Sequence, residues 1–472
     1  MSEKSPQSPV PTAAAAALSA GRLALAESFR LHRPRGAFCH AGWCQQCRVT
    51  LLDGRIALAC RTTAAPRQIG NSWRRLLGHF AERHPPWFYE RRLLRPQALR
   101  QFYLERLRRL SAAPALPPAA APVAGRWRER RCEVLVVGGG LAGLTETRAR
   151  RAVGRRVLLV EAEAALGGRA RFQPAMAEAL AEPDAGPHLL ATLCVGLYEE
   201  ARQALLFGPD GPTLLAFDEL VVATGAYDRL PGFAGNDLPG IIGLRALERL
   251  VAESRIPVAW RIGLFADAEH AAAALATGVH FAWIAGPGNL PPAPSPRFAG
   301  ATLLAAEGRQ AVSAVRLDPG GRQPCDLLVI GFGQPSYELQ MQAGQHAILA
   351  GSPAMVLAAG EPIIPMTVVG DAALRPPPSL RRAAASSPRA FLCLCEDVRR
   401  RDVEAAIADG FADVELLKRR TGAGTGACQG KLCHGEMLAC LAEAGRPVAL
   451  PTVRPLLRPV SLAGLAAIEG ES

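Results

Sequence analysis

Arg131-Cys-Glu-Val-Leu-Val-Val-Gly-Gly-Gly-Leu-Ala-Gly143 decides the fold, because an apolar, β-branched run passes directly into a glycine turn and then into helix-forming sequence. Val134 to Val137 reads as a central parallel strand covered on both faces. Gly138, Gly140 and Gly143 complete G-x-G-x-x-G. Without Cβ atoms the first two allow a tight turn and close approach of backbone to a pyrophosphate, and the third lets the helix sit against the strand. The backbone through Gly140, Leu141 and Ala142 is then a helix N-terminus facing phosphate charge. Eighteen residues past Gly143, a second strand, Val157 to Val160, ends at Glu161, whose carboxylate can accept from ribose hydroxyls. Strand, turn, helix and acid stand in register as a dinucleotide cradle. Glycine spacing leaves open whether FAD, NAD or ATP fills it.

Outward from this stretch, 472 residues imply about three domains. A composition that is 49% hydrophobic and 20% charged belongs to a globular protein. The net charge of +12 comes almost entirely from Arg, with Lys only at 4, 418 and 431, and no basic run alternates with aromatics. Nucleic-acid binding is therefore not expected, and an acidic partner suits the charge better. No run of eighteen apolar residues is present, so no transmembrane helix is expected. Ala13 to Ala26 has the look of a signal core, but Pro11, Gly21 and Arg22 break it; a cytoplasmic location follows, peripheral to the inner membrane at most through partners.

The twelve cysteines are clustered: four within residues 39–60 and four within 393–433. In a long chain without an export signal, such clusters point to metal ligation, not disulfides. Cys39, Cys44 and Cys47 are spaced C-x4-C-x2-C, and Cys60 follows after twelve residues at the end of a hairpin marked by Asp53-Gly54. This is the plant-type pattern for a [2Fe–2S] cluster, with Gly36 and Gly42 giving the loop its freedom; four thiolates also suit a structural zinc. The N-terminal β-hairpin of a ferredoxin is reduced to a short, Pro-containing stump, which leaves the cluster more exposed or covered by a partner.

Between the cysteine clusters the chain divides into 1–65, a ferredoxin-like module; 66–125, an amphipathic helix over 97–110 and a Pro/Ala spacer; 126–250, the first half of an FAD-binding domain; 251–320, an inserted NAD(P)-type domain; 321–388, the second FAD half; 389–450, a C-terminal cluster domain; and 451–472, a tail. Gly168-Arg169 follows Glu161 closely, the strand through Val221-Val222 ends in Ala-Thr224-Gly225, and Val368-Val-Gly370-Asp371 closes the second half. Those three returns to the nucleotide site are the habit of two-dinucleotide flavoproteins. The inserted strand and turn Trp260-Arg-Ile-Gly-Leu-Phe265-Ala-Asp267 put bulk and a carboxylate where a second phosphate cradle would be, so NAD(P)H binding there is not expected. No C-x4-C redox disulfide lies near Gly168, which excludes a disulfide reductase.

Arg33 to Cys47, Asp218 to Gly240 and Leu392 to Cys433 together resemble the α-type subunits of the sarcosine oxidase, opine oxidase, hydroxyproline dehydrogenase and hydrogen cyanide synthase group, over roughly residues 33–460. The resemblance implies an α/β, pyridine-nucleotide-disulfide-oxidoreductase-like flavoprotein core between an N-terminal ferredoxin-like module and a small helical C-terminal domain. Cys393, Cys395, Cys428 and Cys433, spaced C-x-C, thirty-two residues, C-x4-C, resemble the bacterioferritin-associated-ferredoxin type of [2Fe–2S] site, with zinc again the competitor. Gly422, Gly424 and Gly426 free backbone N–H groups there, a helix starting near Gln429 points its positive end inward, and Lys418, Arg419, Arg420 and Lys431 offset thiolate charge.

No acid/base or nucleophile constellation stands out, and the nine His form no metal pattern. The resemblance therefore implies an electron-transfer subunit holding FAD and two [2Fe–2S] clusters, beside a flavin-containing β-type subunit that oxidises the C–N bond of an amino acid, imino acid or opine. A further small subunit or acceptor completes that picture. The alternatives are a stand-alone NAD(P)H-dependent ferredoxin or nitrite reductase-like enzyme and a zinc-bearing scaffold.

Overall fold

Short runs of Val, Leu and Ile, buried on both faces, build two parallel sheets, and helices cover them. The computed structural model describes residues 10–28, 30–66, 128–173, 176–180, 186–350, 355–373, 387–450 and 452–460, with single helical positions at 98, 101 and 465. Apart from those positions, the connecting helix expected over 97–110, the spacer and much of the tail lie outside the described residues.

In the first sheet Met366–Val368, Glu219–Val222, Val134–Val137, Val157–Val160 and His188–Leu189 lie side by side, all parallel. Numbered along the chain this is the order 3-2-1-4-5, with the Gly138 turn at the switch point where strand order reverses. The second sheet runs Ile241–Gly243, Leu327–Gly331, Ile262–Ala266, Trp283–Gly286 and Arg297–Ala299, again all parallel. Its central βαβ unit is Ile262–Ala266, the helix Ala268–Leu275 and Trp283–Gly286. A four-stranded sheet, Arg128–Arg131 with Gly211–Ala216, Gln203–Gly208 and Leu193–Tyr198, leans on the first unit, and a three-stranded meander, Thr302–Gly308, Val312–Asp318 and Gly321–Pro324, on the second.

Two boundaries differ from the sequence reading. The inserted unit, expected over 251–320, takes in Ile241–Gly243 and the helix Leu244–Ala252 before it and Leu327–Gly331 after it. Leu327–Gly331 was expected in the second half of the first domain, but an Asp-Leu-Leu-Val-Ile run is equally apolar in either sheet, and pairing with Ile262–Ala266 buries all five of its residues. The short antiparallel pair of Ala226–Asp228 with Gly333–Pro335 marks where the chain leaves the first unit and returns to it.

The N-terminal module is more than a stump. Thr12 caps the helix Ala13–Ser19 through its hydroxyl, and Ala14, Ala15, Ala17 and Leu18 are buried, against Cys47, Val49, Ala59 and Cys60 on one face and the second sheet's core on the other. Ala26–Glu27 pairs antiparallel with Pro34–Arg35, so a two-residue remnant of the expected hairpin persists. At the other end, helices Arg400–Ala408, Val414–Thr421 and His434–Glu443 enclose a small core of their own around Val403, Leu417, Met437 and Leu441. No helix among the described residues is long and apolar enough to cross a membrane.

Candidate cofactor cradle and two thiol sites

The cradle is shaped by contacts that only glycine permits. Gly138 has φ +111°, and a Cβ there would sit 2.2 Å from the Ala223 carbonyl oxygen. At Gly143 a Cβ would lie 1.9 Å from the Gly138 carbonyl oxygen, so this residue packs helix against turn and does not line the cavity. Gly140 starts the helix Leu141–Ala152 with no side-chain cap. The first N–H groups of that helix are thus left for a ligand.

In front of this turn is a cavity of about 570 Å³. Gly138, Gly140, Leu141, Ala142 and Glu161 form one wall, Gly168 and Arg169 a second, and Thr224, Gly225, Gly370 and Asp371 a third. Eleven of the twelve cofactor-binding candidates therefore meet here. The fit to an anionic nucleotide can be judged from the wall itself. Seven cationic side chains (Arg61, Arg169, Arg171, Arg245, Arg249, Lys431, Arg458) face four carboxylates (Glu161, Glu163, Glu338, Asp371). The Thr224 hydroxyl is buried in the wall without a partner, as a group awaiting a ligand oxygen would be.

Glu161 is buried, and both of its oxygens are already engaged: Gly139 N–H donates to Oε2 at 2.6 Å and Glu163 N–H to Oε1 at 2.7 Å. Burial pushes its carboxyl up and those two bonds oppose the shift. One lone pair on each oxygen remains for a ribose. Arg169 is clamped bidentately to the fully buried Glu248, at 2.7 and 2.6 Å, and lies 3.9 Å from Asp371. Asp371 in turn accepts from Arg245 at 2.8 Å, and Arg245 also reaches Asp228 at 3.2 Å. The sequence reading missed Arg245, Glu248 and Arg249, although their i, i+3, i+4 spacing on Leu244–Ala252 puts them on one helix face. The missing signal was that this helix, built into the second sheet, turns that face toward the first.

The N-terminal thiols are all free and buried. Left-handed backbone at His40, Gly42 and Gln45 wraps the loop, and the N–H groups of Ala41 and Cys44 point at Cys39 Sγ from 3.4 and 3.5 Å. Gly36 serves close packing, not turning: a Cβ there would meet the Leu23 carbonyl at 2.9 Å. Cys60 enters two residues after the hairpin Arg48–Thr50 with Ile56–Leu58. Thiol contacts run in a line, Cys44 to Cys39 to Cys60 to Cys47.

The C-terminal foursome is built alike, Cys433 to Cys393 to Cys395 to Cys428. Among the described residues no group of three or more His, Cys, Asp or Glu converges on one point as a single-ion site. Four thiols side by side could serve a two-iron cluster, which takes two thiolates on each metal. Gly426 is required here because a Cβ would meet Cys395 Cβ at 2.3 Å. The helix expected near Gln429 begins at His434, with Cys433 at its start. Lys431 does not simply offset thiolates: it is buried, donates to the carbonyls of Cys428 and Leu457, and pairs with Glu338 at 3.2 Å. Burial alone would push Lys431 down and Glu338 up, and each holds the other charged.

A sequence neighbour of each foursome lines the cavity. Trp43, next to Cys44, lines it and packs on Tyr227 with ring centroids 4.9 Å apart, while Lys431 lines it from the other side. The two terminal modules also touch one another: Arg33 donates to Asp397 at 2.6 Å and to the Leu394 carbonyl at 2.6 Å, and the N–H groups of Arg30 and Leu31 reach Asp397 at 3.0 Å. In the inserted unit Phe265 is fully buried and Asp267 caps the helix Ala268–Leu275 with its own side chain.

Comparison with known proteins agrees with this layout. Residues 11–67 match the 2Fe-2S iron-sulfur cluster binding domain, 136–203 the NAD(P)-binding Rossmann-like domain and 387–469 the sarcosine oxidase A3 domain. The chain is 25% identical to sarcosine oxidase subunit alpha of Rhizobium meliloti across 96% of its own length and 56% of that protein, so it spans about half of that relative. It is 50% identical to hydrogen cyanide synthase subunit HcnB of Pseudomonas aeruginosa over 44 residues, 9% of this chain and 10% of that one. Among solved structures, L-proline dehydrogenase from P. horikoshii superposes with a TM-score of 0.57 at 18% identity, over 72% of this chain and 80% of that one, a likeness of fold.

Proposed function

Since the chain is a homologue of sarcosine oxidase alpha subunits, with a [2Fe–2S] domain at its N-terminal end, we propose that it is the electron-transfer subunit of a multi-subunit, flavin-dependent dehydrogenase or oxidase. The substrate class is a C–N bond of an amino acid, imino acid or opine, oxidised on a partner subunit of the flavin-containing β type. FAD occupies the Gly138 cradle, and [2Fe–2S] clusters occupy both cysteine foursomes. What carries this reading is one juxtaposition: two buried sets of four thiols each contribute a neighbouring residue, Trp43 and Lys431, to the wall of a single nucleotide-sized cavity.

In the cradle the uncapped helix start at Gly140 and Leu141 receives the pyrophosphate, Glu161 a ribose hydroxyl, and Thr224 with Gly225 the return strand's side of the cofactor. Gly370 and Asp371 close over the remaining edge, held by Arg245 and Arg169. Bound flavin exchanges electrons in pairs and iron–sulfur centres one at a time, so a chain holding both converts one traffic into the other. The protein's part is to bury the thiols, aim N–H groups at sulfur and exclude water.

The test is to isolate the chain anaerobically with its partner subunits, extract and identify the nucleotide, measure iron and acid-labile sulfide, and screen secondary amino acids for dye reduction. The expected result is FAD and about four irons per chain, as two [2Fe–2S] centres require, with dye reduced by amino acid and not by NADH. Zinc without sulfide, or rapid reduction of the isolated chain by NADH, sinks the reading.

A further inference from the structure

The C-x2-C turn between Cys44 and Cys47 holds two glutamines with different tasks. Gln45 turns back on its own loop and donates to the Gly42 carbonyl at 2.7 Å. Gln46 is 3% exposed and faces the other end of the chain. Its Nε2 donates to the Cys44 carbonyl at 3.2 Å and to Cys395 Sγ at 3.5 Å, a residue 349 positions away in sequence. Its Oε1 accepts from Arg35 Nε at 3.2 Å and Nη2 at 3.0 Å, and the same Nη2 donates to the Leu394 carbonyl at 2.9 Å. One amide thus joins a main-chain atom of one foursome to a sulfur of the other, and Arg35 locks its orientation. The Arg33–Asp397 pair and the packing of Phe38, Trp43 and Cys44 near Leu394 and Leu432 hold the two modules together around it.

We propose that Gln46 is a positioning residue that couples the two cysteine foursomes into one single-electron relay, and that its N–H to Cys395 Sγ raises the reduction potential of the C-terminal centre. This rests on the reading of both foursomes as [2Fe–2S] sites. A hydrogen bond to a cluster sulfur favours the reduced form, which carries one more negative charge. In the exchange itself one electron leaves one centre and enters the other, with no bond broken and no proton moved. The short route between the ends of the chain is then this contact, and the nucleotide cavity is flanked by a joined pair, not by two independent outlets.

The experiment uses the full chain isolated anaerobically with its iron in place. With both centres reduced, electron paramagnetic resonance is expected to show broadening or splitting from two neighbouring spins, and potentiometric titration gives the potential of each centre, assigned with Cys60→Ser and Cys433→Ser chains. Gln46→Met removes the donor without adding charge, and its expected effect is about tenfold on the reduction equilibrium of the C-terminal centre, or about 59 mV downward. Gln46→Glu keeps an acceptor for Arg35 and cannot donate, so it gives the same direction of change should the Met variant not fold. Full iron with a spectrum that is the plain sum of two isolated centres, or potentials unmoved by Gln46→Met, overturns this inference alone. Absence of iron overturns the proposed function and this inference together.

Discussion

Four adjacent strands run in the same order in the two parallel sheets, 3-2-1-4 counted from Val134–Val137 in one and from Ile262–Ala266 in the other, yet the helices that follow these two matching strands begin in opposite ways. Behind Val134–Val137 the chain turns on Gly138 and enters its helix at Gly140 with nothing capping it. Behind Ile262–Ala266 it enters its helix at Asp267, whose carboxylate accepts from His270 N–H at 2.9 Å and faces His270 Nδ1 at 2.8 Å. The first leaves its N–H groups and its partial positive charge for a phosphate; the second has satisfied them internally and placed a negative charge there. One local strand–turn–helix arrangement is thus open at its helix start in one copy and closed by its own side chain in the other. What separates them is the side chains at a single turn, not the fold.

The largest expected effect breaks the open member of this pair. Gly138→Ala forces a Cβ to 2.2 Å from the Ala223 carbonyl at φ +111°. The outcome is loss of bound nucleotide after gel filtration and a poorly folded first sheet. Gly288→Ala, where a Cβ meets nothing within 4 Å, is the control and leaves both unchanged. A Gly138→Ala chain that keeps its nucleotide would show that this turn does not hold it.

This contrast was legible in the sequence, because both turns are local: Gly-x-Gly against Ala-Asp is read within a few residues. The cysteine spacings were legible for the same reason. What escaped was everything set by pairing between distant segments. Ile241–Gly243 is three residues long and gives no strand signal, yet it is the outer strand of the second sheet. Leu327–Gly331 looks identical whichever sheet receives it. The carboxylate of Glu248 reads as solvated surface until its helix is packed against Arg169. The contact of Gln46 with Cys395 depends on two modules at opposite ends of the chain folding against each other.

Glu248 also tests whether the two units are separable. Its fully buried carboxylate belongs to the second unit and its partner Arg169 to the first. Replacing Glu248 by Gln removes the charge from one side of a mostly buried bidentate pair, at a cost of about 2 kcal/mol. Chemical denaturation measures this as a lower midpoint with an unchanged slope if the units unfold together. Two separate transitions would show that the closed unit stands by itself.

A smaller change addresses the closed member. Asp267→Ala removes the cap of the helix Ala268–Leu275 and is expected to cost about 1 kcal/mol of stability. The carboxylate would then no longer oppose an anion, yet the turn still carries the fully buried Phe265 in the preceding strand and lacks a glycine for close backbone approach. Fluorescence titration with NADH is expected to remain flat in the variant. Gain of saturable NADH binding would show that Asp267 alone, and not the shape of the turn, had closed this site.

The smallest effect is a dependence on pH at the open member. Burial by itself would raise the Asp371 carboxyl, but Arg245 at 2.8 Å and Arg169 at 3.9 Å outweigh it and hold the group below its usual value. A carboxyl depressed in the folded state releases its proton more readily there than in the unfolded chain, so its contribution is present above the unfolded value of about 3.9 and fades as pH falls through the folded one. Because the Asp371 side chain is 40% exposed, solvent screens the pair and its worth is below about 1 kcal/mol. The prediction is therefore a difference of slopes: between about pH 5 and pH 3 the melting temperature of the native chain falls more steeply than that of Asp371→Asn, and the two curves approach each other at the acid end. Equal slopes for native chain and Asp371→Asn would show that Arg245 and Arg169 are not held against this carboxylate in solution, and the third wall of the cradle would have to be redrawn.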